Sequence, residues 1–228
     1  MPNVIYSAEP GLIIGFHGCE KAVCDAIICG KKRMKVSNNP WDWLGDGMYF
    51  WQNNYQRALH YARHPPGKLK IIEPAVLGAV FSLGNCLDLT DKKSLDIVND
   101  IYRIYADSMA AGGRKMPENS NPSSDPKSFD RIIRRLDCAV IKQVHEIFHL
   151  AEQQPFDSVR ALLPEGEPLY PGAGFRGKTH IQIAIRNPNL IRGSFRPRLE
   201  TDWNASPLPI SLPNRASRPA NTGKSQKS

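Results

Sequence analysis

The chain has 228 residues, of which 41% are hydrophobic and 23% charged, a composition ordinary for a soluble globular protein with one domain, or one domain and a tail. A formal net charge of +8 and a pI near 9.3 favour contact with a polyanion such as nucleic acid, or with an anionic ligand. A surplus of charge that serves only solubility is the simpler alternative.

The cysteines and the apolar runs exclude several classes of protein. The five cysteines are odd in number and form no C-x-x-C pair, which argues against a disulfide framework and a zinc site. Residues 1–10 lack the basic and long apolar regions of a secretory signal, and no apolar run reaches the roughly 20 residues of a membrane helix. We therefore expect a soluble, cytoplasmic protein without a bound metal or a membrane partner.

The first part of the chain predicts strands and helices that end at glycine or proline. Gly30 and Pro65 mark two helix ends, and Asn53 or Asn54 could cap the second helix. A basic cluster at 31–35 follows the first helix. In chain order the predicted elements are a buried strand at 11–17, a helix at 20–29, an aromatic strand at 48–51, a helix from 53 or 54 to about 63, and an apolar strand at 75–83.

From residue 91 onward the pattern becomes mainly helical. It predicts a helix at 92–109, a loop at 110–127, a long helix at 128–153, a loop at 161–178 and a strand at 179–185. Asp125 and Pro126 are typical of the cap and first position of the long helix. The mixed order of strands and helices, without regular βαβ alternation, predicts an α+β fold. The segment 199–228 is basic and rich in proline and serine, and we expect it to be a disordered tail.

The long predicted helix carries two groups of polar side chains. His145 and His149 are four residues apart, a spacing that suits two metal ligands, but no third ligand lies near them in sequence. A solvated helix face is therefore the better interpretation. A basic stripe on the same helix is either solvated or contacts nucleic-acid phosphates. Its members are Arg131, Arg135 and Lys142, with Arg134 beside them.

Three segments together resemble the H-Y-E group of ADP-ribosyltransferases, which includes the poly(ADP-ribose) polymerases and diphtheria toxin. The residues that carry the resemblance are His17 and Gly18 at a strand end, Gly47, Tyr49 and Phe50 on a second strand, Ala58 and Tyr61 on the next helix, and Gln182 on a later strand. The resemblance covers 11–83 and 178–191. It implies a split, mostly antiparallel sheet in a catalytic domain at 1–198, with a helical insertion at 91–153 that has no counterpart in the family.

The resemblance implies that NAD is the co-substrate and assigns roles to its motif residues. His17 would bond the adenosine ribose, and the Gly18 backbone would bond the nicotinamide amide. Tyr49 would pack on the nicotinamide ring. Counting from Tyr49 makes His60 the second stacking residue, whereas side-chain type favours Tyr61, and the sequence leaves both open. Stacking suits either residue, because nicotinamide is cationic until its glycosidic bond breaks.

The third motif position departs from the family pattern, because Gln182 stands where a glutamate is usual. Strand alternation puts His180 and Ala184 on the same face as Gln182, with the three isoleucines facing the core. Glutamine can bond a ribose but carries no charge and cannot act as a base. We therefore expect single transfer rather than polymer synthesis. Either the acceptor is already nucleophilic, as a phosphate or carboxylate is, or another carboxylate closes over the site, namely Glu165, Glu167 or Asp157.

The expected function is that of a mono-ADP-ribosyltransferase which moves ADP-ribose from NAD to a macromolecule and releases nicotinamide. The basic charge favours RNA or DNA over protein as acceptor, and the cluster at 31–35 would lie near the NAD diphosphate or the second substrate. The resemblance also implies a toxin of a toxin–antitoxin or phage-defence system, with an antitoxin protein as a possible partner. The alternatives are a protein-modifying transferase, an RNA 2′-phosphotransferase, an inactive binding module of the same fold, and a basic nucleic-acid-binding protein.

Overall fold

The computed structural model describes residues 11–67, 69–122 and 130–198, and places them in nine strands, four α-helices and one 3₁₀ turn. The chain separates into two units, 1–197 and 198–228. Of the second unit only Arg198 is described, so the predicted tail lies outside the described residues. In chain order the elements are β1 (Ile13–Glu20), α1 (Lys21–Ile28), β2 (Met48–Gln52), α2 (Tyr55–Arg63), β3 (Pro74–Phe81), β4 (Cys86–Asp88), α3 (Lys92–Ala111), β5 (Asn119–Ser120), β6 (Ile133–Arg134), α4 (Arg135–Leu150), β7 (Ser158–Leu163), β8 (His180–Ile185), the 3₁₀ turn (Pro188–Leu190) and β9 (Ile191–Phe195).

Seven of these strands form one sheet, in the order β4-β7-β8-β2-β1-β3-β9. The β4–β7 pair is parallel, and the other neighbouring pairs are antiparallel. Strands β5 and β6 form a separate two-stranded sheet. This arrangement confirms the predicted α+β class and the mostly antiparallel sheet.

Helices and loops cover both faces of the large sheet. One face carries a core that includes Phe50, Phe81, Ile183 and Ile185, all fully buried. The other face has two apolar clusters. The first, which includes Trp51 and Ala58, packs against α2, and the second packs against the α3–α4 pair. The second of these clusters contains Leu44, Leu87, Ile101, Ile141, Val144, Val159 and Ala184. The central strands are therefore buried on both sides, which fixes their register.

Strand β8 is buried on both of its faces. The isoleucines pack into the first core as expected, with Ile183 and Ile185 completely buried. The opposite face, which carries Gln182, is buried as well, since His180, Gln182 and Ala184 are 5%, 8% and 0% exposed. A buried polar side chain needs a hydrogen-bond partner, so the contacts of His180 and Gln182 matter for the fold as well as for any site.

The long helix is shorter than predicted and begins at Arg135. The cap expected at Asp125 and Pro126 lies outside the described residues. Ile133 and Arg134 belong to β6, and the Asn119 side chain of β5 accepts hydrogen bonds from the first-turn N–H groups of Leu136 and Asp137, at 3.0 and 3.3 Å. A side chain 17 residues away in sequence thus satisfies the helix start.

Three other strands were missed by the sequence patterns. The loop predicted at 161–178 is wrong at its beginning, because β7 continues to Leu163. Strand β4 has only three residues, and β9 contains Gly193, so neither has the alternating apolar pattern of an isolated strand. Both lie at the edges of the sheet and are held by a single neighbouring strand each. The other predicted helices and strands are confirmed, with Asn54 as the cap of α2.

Within the described residues, no helix combines the length and apolar character needed to cross a membrane. The longest of the described helices is α3, which spans 20 residues and has charged side chains interspersed among its apolar ones.

Helix α4 holds a half-buried histidine whose two ring nitrogens are shielded from solvent and have no hydrogen-bond partner among the described residues. This is His145, and its ring lies edge-on to Phe156, with centroids 6.1 Å apart. Burial, together with the nearby charge of Arg186, lowers the pKa of His145 to about 3. The predicted solvated face is therefore wrong for His145, although His149 one turn later is exposed.

We predict that His145→Leu stabilises the fold and flattens its dependence on pH. The unfolded chain takes up a proton near pH 6.5 and the folded chain only near pH 3, so His145 costs stability progressively as the pH falls between these values. That cost is at most about 1.4 kcal/mol per pH unit. Urea unfolding at pH 7, 6 and 5 measures it, with His149→Leu as the matched control. Equal losses of stability in wild type and His145→Leu would contradict the prediction.

Candidate functional site

The site is built around the point where β1 and β2 separate. The two strands pair only through Gly15–Gln52 and Phe16–Trp51, and Asn53 N–H also donates to the Ile14 carbonyl at 3.0 Å. Strand β1 pairs with β3 over its whole length of eight residues, so β1 itself continues regularly. Past Phe16 the ladder between β1 and β2 stops while both strands continue.

Gly18 faces this opening with its backbone. Because successive residues of a strand direct their N–H and C=O groups to alternate sides, Ile14, Phe16 and Gly18 all direct theirs toward β2. At Gly18 the described strands provide no ladder pair on that side. A donor and an acceptor on one residue are therefore directed at the opening, which suits a ligand amide.

The His17 side chain bridges the opening. Its Nδ1 lies 2.8 Å from the Tyr49 carbonyl oxygen, and because a carbonyl only accepts, Nδ1 carries the hydrogen. Burial lowers the pKa of His17, outweighing the hydrogen bond to Tyr49, which raises it. The ring is therefore neutral at pH 7, with a lone pair on Nε2. In this state His17 can accept a hydrogen bond from a hydroxyl group.

Helix α2 packs directly on Gly18. A Cβ at this position would lie 2.2 Å from the Ala58 carbonyl oxygen and 3.1 Å from the Ala62 nitrogen, so only glycine fits beneath the helix. Gly47 is similarly constrained, since a Cβ there would lie 2.9 Å from the Ala184 Cβ. Two glycines of the sequence motif thus have a packing role in addition to any role in binding.

Tyr49 is half-buried and held through its hydroxyl group. The hydroxyl donates to the Gly45 carbonyl at 2.7 Å and accepts from the Leu44 N–H at 3.1 Å. Burial and the nearby Asp42 carboxylate raise the pKa of Tyr49, so the hydroxyl stays protonated. The loop at 42–47 therefore fixes the ring, whose apolar part packs against the core beside α4.

The two candidates for the second stacking residue point in different directions. Tyr61 is half-buried against the sheet, with its ring centroid 5.1 Å from that of Trp51. His60 is exposed, and its ring lies 4.7 Å from that of His64 on the outer side of α2. The rotation of the helix thus turns Tyr61 toward the sheet and His60 away from it.

Gln182 lies on the face of the sheet that packs against α2, where it is paired with Trp51 of β2 and Ala161 of β7. Its Oε1 accepts a hydrogen bond from the indole nitrogen of Trp43. The Arg134 guanidinium carbon lies 5.4 Å from the centre of the Trp43 ring, a cation–π contact. Trp43 also lines a cavity of about 370 Å³ bordered by α3 and α4.

One of the three candidate carboxylates lies close to His180, on the strand that carries Gln182. Glu165 is buried, and both of its oxygens accept from Nη2 of Arg57 at 2.7 and 2.8 Å. Its Oε2 is also 3.8 Å from the Nδ1 of His180, two residues before Gln182 on the same face. The Arg57 guanidinium in turn lies 5.5 Å from the Trp51 ring. Glu165 therefore belongs to a buried network with Arg57 and His180.

The other two carboxylates have different surroundings. Asp157 accepts from the Asn85 N–H and from the Asn187 side chain, at 2.9 and 2.8 Å, and so ties together the loops around β7. Glu167 is exposed, and its carbonyl accepts from Gly177 N–H within the loop that follows β7.

The predicted site residues reach the opening from two faces of the sheet. Cross-strand pairing puts Gly18, Tyr49 and Gln182 on the face covered by α2 and α4. His17 lies on the opposite face beside Phe50, with ring centroids 6.1 Å apart. The His17–Tyr49 hydrogen bond joins the two groups at the opening.

Two residues of this region had no predicted role: Trp43 and Arg57. The Trp43–Gln182 contact joins residues 139 positions apart, so no local pattern could indicate it. The predicted basic stripe is wrong, because Arg131 and Arg134 precede α4 and Lys142 pairs with Asp46 at 2.8 Å. The cluster at 31–35 does present exposed basic side chains.

The described residues contain no group of three or more side chains suited to hold a metal ion. Comparison of the chain with family models, with curated proteins and with solved structures gives no match. The family resemblance therefore rests on the motif residues themselves.

We predict that Gly18→Ala destabilises the fold by about 2 to 3 kcal/mol, because the new Cβ overlaps the backbone of α2. Gly193→Ala is the matched control, since a Cβ at Gly193 in β9 meets no atom within 4 Å. We expect this control to change the free energy of unfolding by less than about 0.5 kcal/mol. Denaturant unfolding measures both variants, and equal stabilities would show that α2 does not pack on β1 as described.

Proposed function

We propose that this protein is an NAD-dependent mono-ADP-ribosyltransferase. The observation that carries the proposal is the opening between β1 and β2, which His17 bridges through the Tyr49 carbonyl and which the Gly18 backbone faces. These are the motif residues on which the resemblance rests, and their groups have the polarity that NAD binding needs.

Groups of four residues fit the proposed substrate. The N–H and C=O of Gly18 match the carbonyl and amino groups of a nicotinamide amide, and the Nε2 lone pair of His17 matches a ribose hydroxyl. Tyr49 is held rigidly, and Tyr61 faces the sheet from α2, so we propose Tyr49 and Tyr61 as the stacking pair. Aromatic faces favour the cationic nicotinamide ring.

The reaction breaks the bond between the ribose C1′ and the nicotinamide nitrogen, and forms a bond from C1′ to the acceptor. Nicotinamide leaves with the electron pair, so the ribose passes through an oxocarbenium-like transition state. Gln182 offers no negative charge and cannot remove a proton. This supports a single transfer to an acceptor that is already nucleophilic.

The proposed acceptor is a nucleic acid, RNA or DNA, rather than a protein. The net charge of +8 and the exposed basic cluster at 31–35 support a polyanionic partner. A role as the toxin of a toxin–antitoxin or phage-defence system, neutralised by an antitoxin protein, is part of the same proposal.

One observation favours a second candidate function, a binding module that catalyses nothing. Gln182 is uncharged, and its oxygen is already bonded to Trp43. Such a module would bind NAD or ADP-ribose through the same opening but release no nicotinamide. Nicotinamide release therefore separates the two candidates.

We predict that the purified protein releases nicotinamide from radiolabelled NAD and transfers label to a component of total cell lysate. Label removed by RNase or DNase identifies a nucleic acid, and label removed only by protease would contradict the proposed acceptor. His17→Ala should lower kcat/KM at least about tenfold, because one hydrogen bond to a ribose hydroxyl is lost in a buried site. No release by wild type, under conditions where NAD still binds, would establish the binding module instead.

The assignment of Tyr61 to the stacking pair predicts how KM for NAD changes in two variants of α2. Tyr61→Leu should raise KM for NAD, whereas the matched variant His60→Leu should leave it nearly unchanged.

Because the pKa of His17 is lowered, KM should stay constant from pH 8 to 6.5 and rise at lower pH, once Nε2 gains a proton and stops accepting. A KM that rises already above pH 6.5 would contradict the lowered pKa of His17.

A further inference from the structure

The bond between Trp43 and Gln182 determines which end of the Gln182 amide faces the site. An indole N–H can only donate, so the Gln182 atom that it meets must be the carbonyl oxygen Oε1. The amide nitrogen Nε2 is thereby directed away from Trp43. In most structures the two ends of a glutamine amide are assigned from their surroundings, and here the surroundings leave one assignment.

The Gln182 nitrogen makes no hydrogen bond to the residues that the structure describes, and it is not sealed from solvent. Two neighbouring donors are also without a partner in the described part of the chain: Nε1 of Trp51 and Nε of Arg57. Trp51 is the cross-strand neighbour of Gln182, and the Arg57 guanidinium lies 5.5 Å from the Trp51 ring. Both oxygens of Glu165 are already bonded to Arg57.

Donors without partners are costly when buried, and a bound oxygen relieves that cost. A carbonyl oxygen accepts about two hydrogen bonds, whereas the oxygens of a phosphate accept several. A group of three neighbouring donors therefore suits a phosphate better than a carbonyl or a hydroxyl. A bound phosphate also agrees with the net charge of +8.

We infer that Gln182 acts as a hydrogen-bond donor to a phosphate oxygen, and that Trp43 is the positioning residue which holds its amide in that orientation. The inference rests on the proposed transferase function and specifies the substrate group at that site. The phosphate belongs either to NAD or to the nucleic-acid acceptor. An acceptor phosphate needs no base, because its oxygen already carries the electron pair that forms the new bond to C1′.

The decisive variant is Gln182→Glu, because two interpretations of this position predict opposite results. If Gln182 is a donor, the carboxylate loses the N–H and repels the phosphate, and kcat/KM falls at least about tenfold. If Gln182 is a weak replacement for an accepting glutamate, kcat/KM rises. An unchanged or higher value in Gln182→Glu would overturn the inference.

Trp43→Phe tests the positioning role without altering the amide itself. Removing the indole N–H frees the amide to rotate, and we expect kcat/KM to fall roughly fivefold, the effect of one neutral hydrogen bond. The matched control is Trp41→Phe, since Trp41 is 46% exposed. In the double variant Trp43→Phe with Gln182→Glu, the two effects should not add, because they act on one amide. Full additivity, or equal activity of Trp43→Phe and Trp41→Phe, would contradict the positioning role.

Two binding measurements separate the possible sources of the phosphate and do not depend on turnover. Calorimetric titration of wild type, Gln182→Glu and Trp43→Phe with NAD reports an NAD phosphate, and titration with a 5′-phosphorylated RNA oligonucleotide and its dephosphorylated form reports an acceptor phosphate. We expect one of the two affinities to fall in both variants while their thermal unfolding midpoints stay near that of wild type. Unchanged affinity in both titrations would overturn the inference. Absence of nicotinamide release by wild type would instead remove the proposed function on which it rests.

Discussion

The separation of β1 from β2 is the constraint on which the rest of the site depends. Two antiparallel strands that part inside a sheet leave backbone N–H and C=O groups without ladder partners, and such groups must find others. The His17 ring supplies a partner for one of these groups, because its Nδ1–H donates to the Tyr49 carbonyl. The groups of Gly18 remain directed at the opening. A fold that stops a ladder in its centre thus prepares a place where a ligand amide can complete it.

Close packing around this opening explains why glycines stand where they do. Helix α2 rests directly on Gly18, and the strand that carries Tyr49 begins beside Gly47, which contacts Ala184 of β8. These contacts set the distance of α2 from the sheet and therefore the direction of Tyr61. The same helix brings Arg57 to Glu165, forming a buried ion pair. Such a pair adds little net stability but strongly disfavours any arrangement that separates it, so it fixes the position of the loop after β7.

The polarity of the site follows from burial rather than from formal charge. His17 and His180 both have a lowered pKa because their rings are shielded from water. Each donates from Nδ1 to a backbone carbonyl, which leaves the lone pair of its Nε2 free. Gln182 presents the opposite polarity, because Trp43 occupies its oxygen. The site therefore offers the His17 acceptor on one face of the sheet, and the Gln182 donor together with the His180 acceptor on the other.

The sequence by itself determined most elements and the identity of the candidate residues, because those signals are local. Asn54 caps α2 three residues from Arg57, and the glycine and tyrosine of the second motif are two residues apart. Tertiary structure alone decided the start of α4, which depends on Asn119, and the edge strands β4 and β9, which depend on their neighbours. It also decided the choice of Tyr61 over His60 as the residue that faces the sheet, the pairing of Glu165 with Arg57, and the orientation of Gln182. Each of these contacts depends on how distant segments pack, and hydrophobic periodicity carries no information about which polar group will lie opposite another.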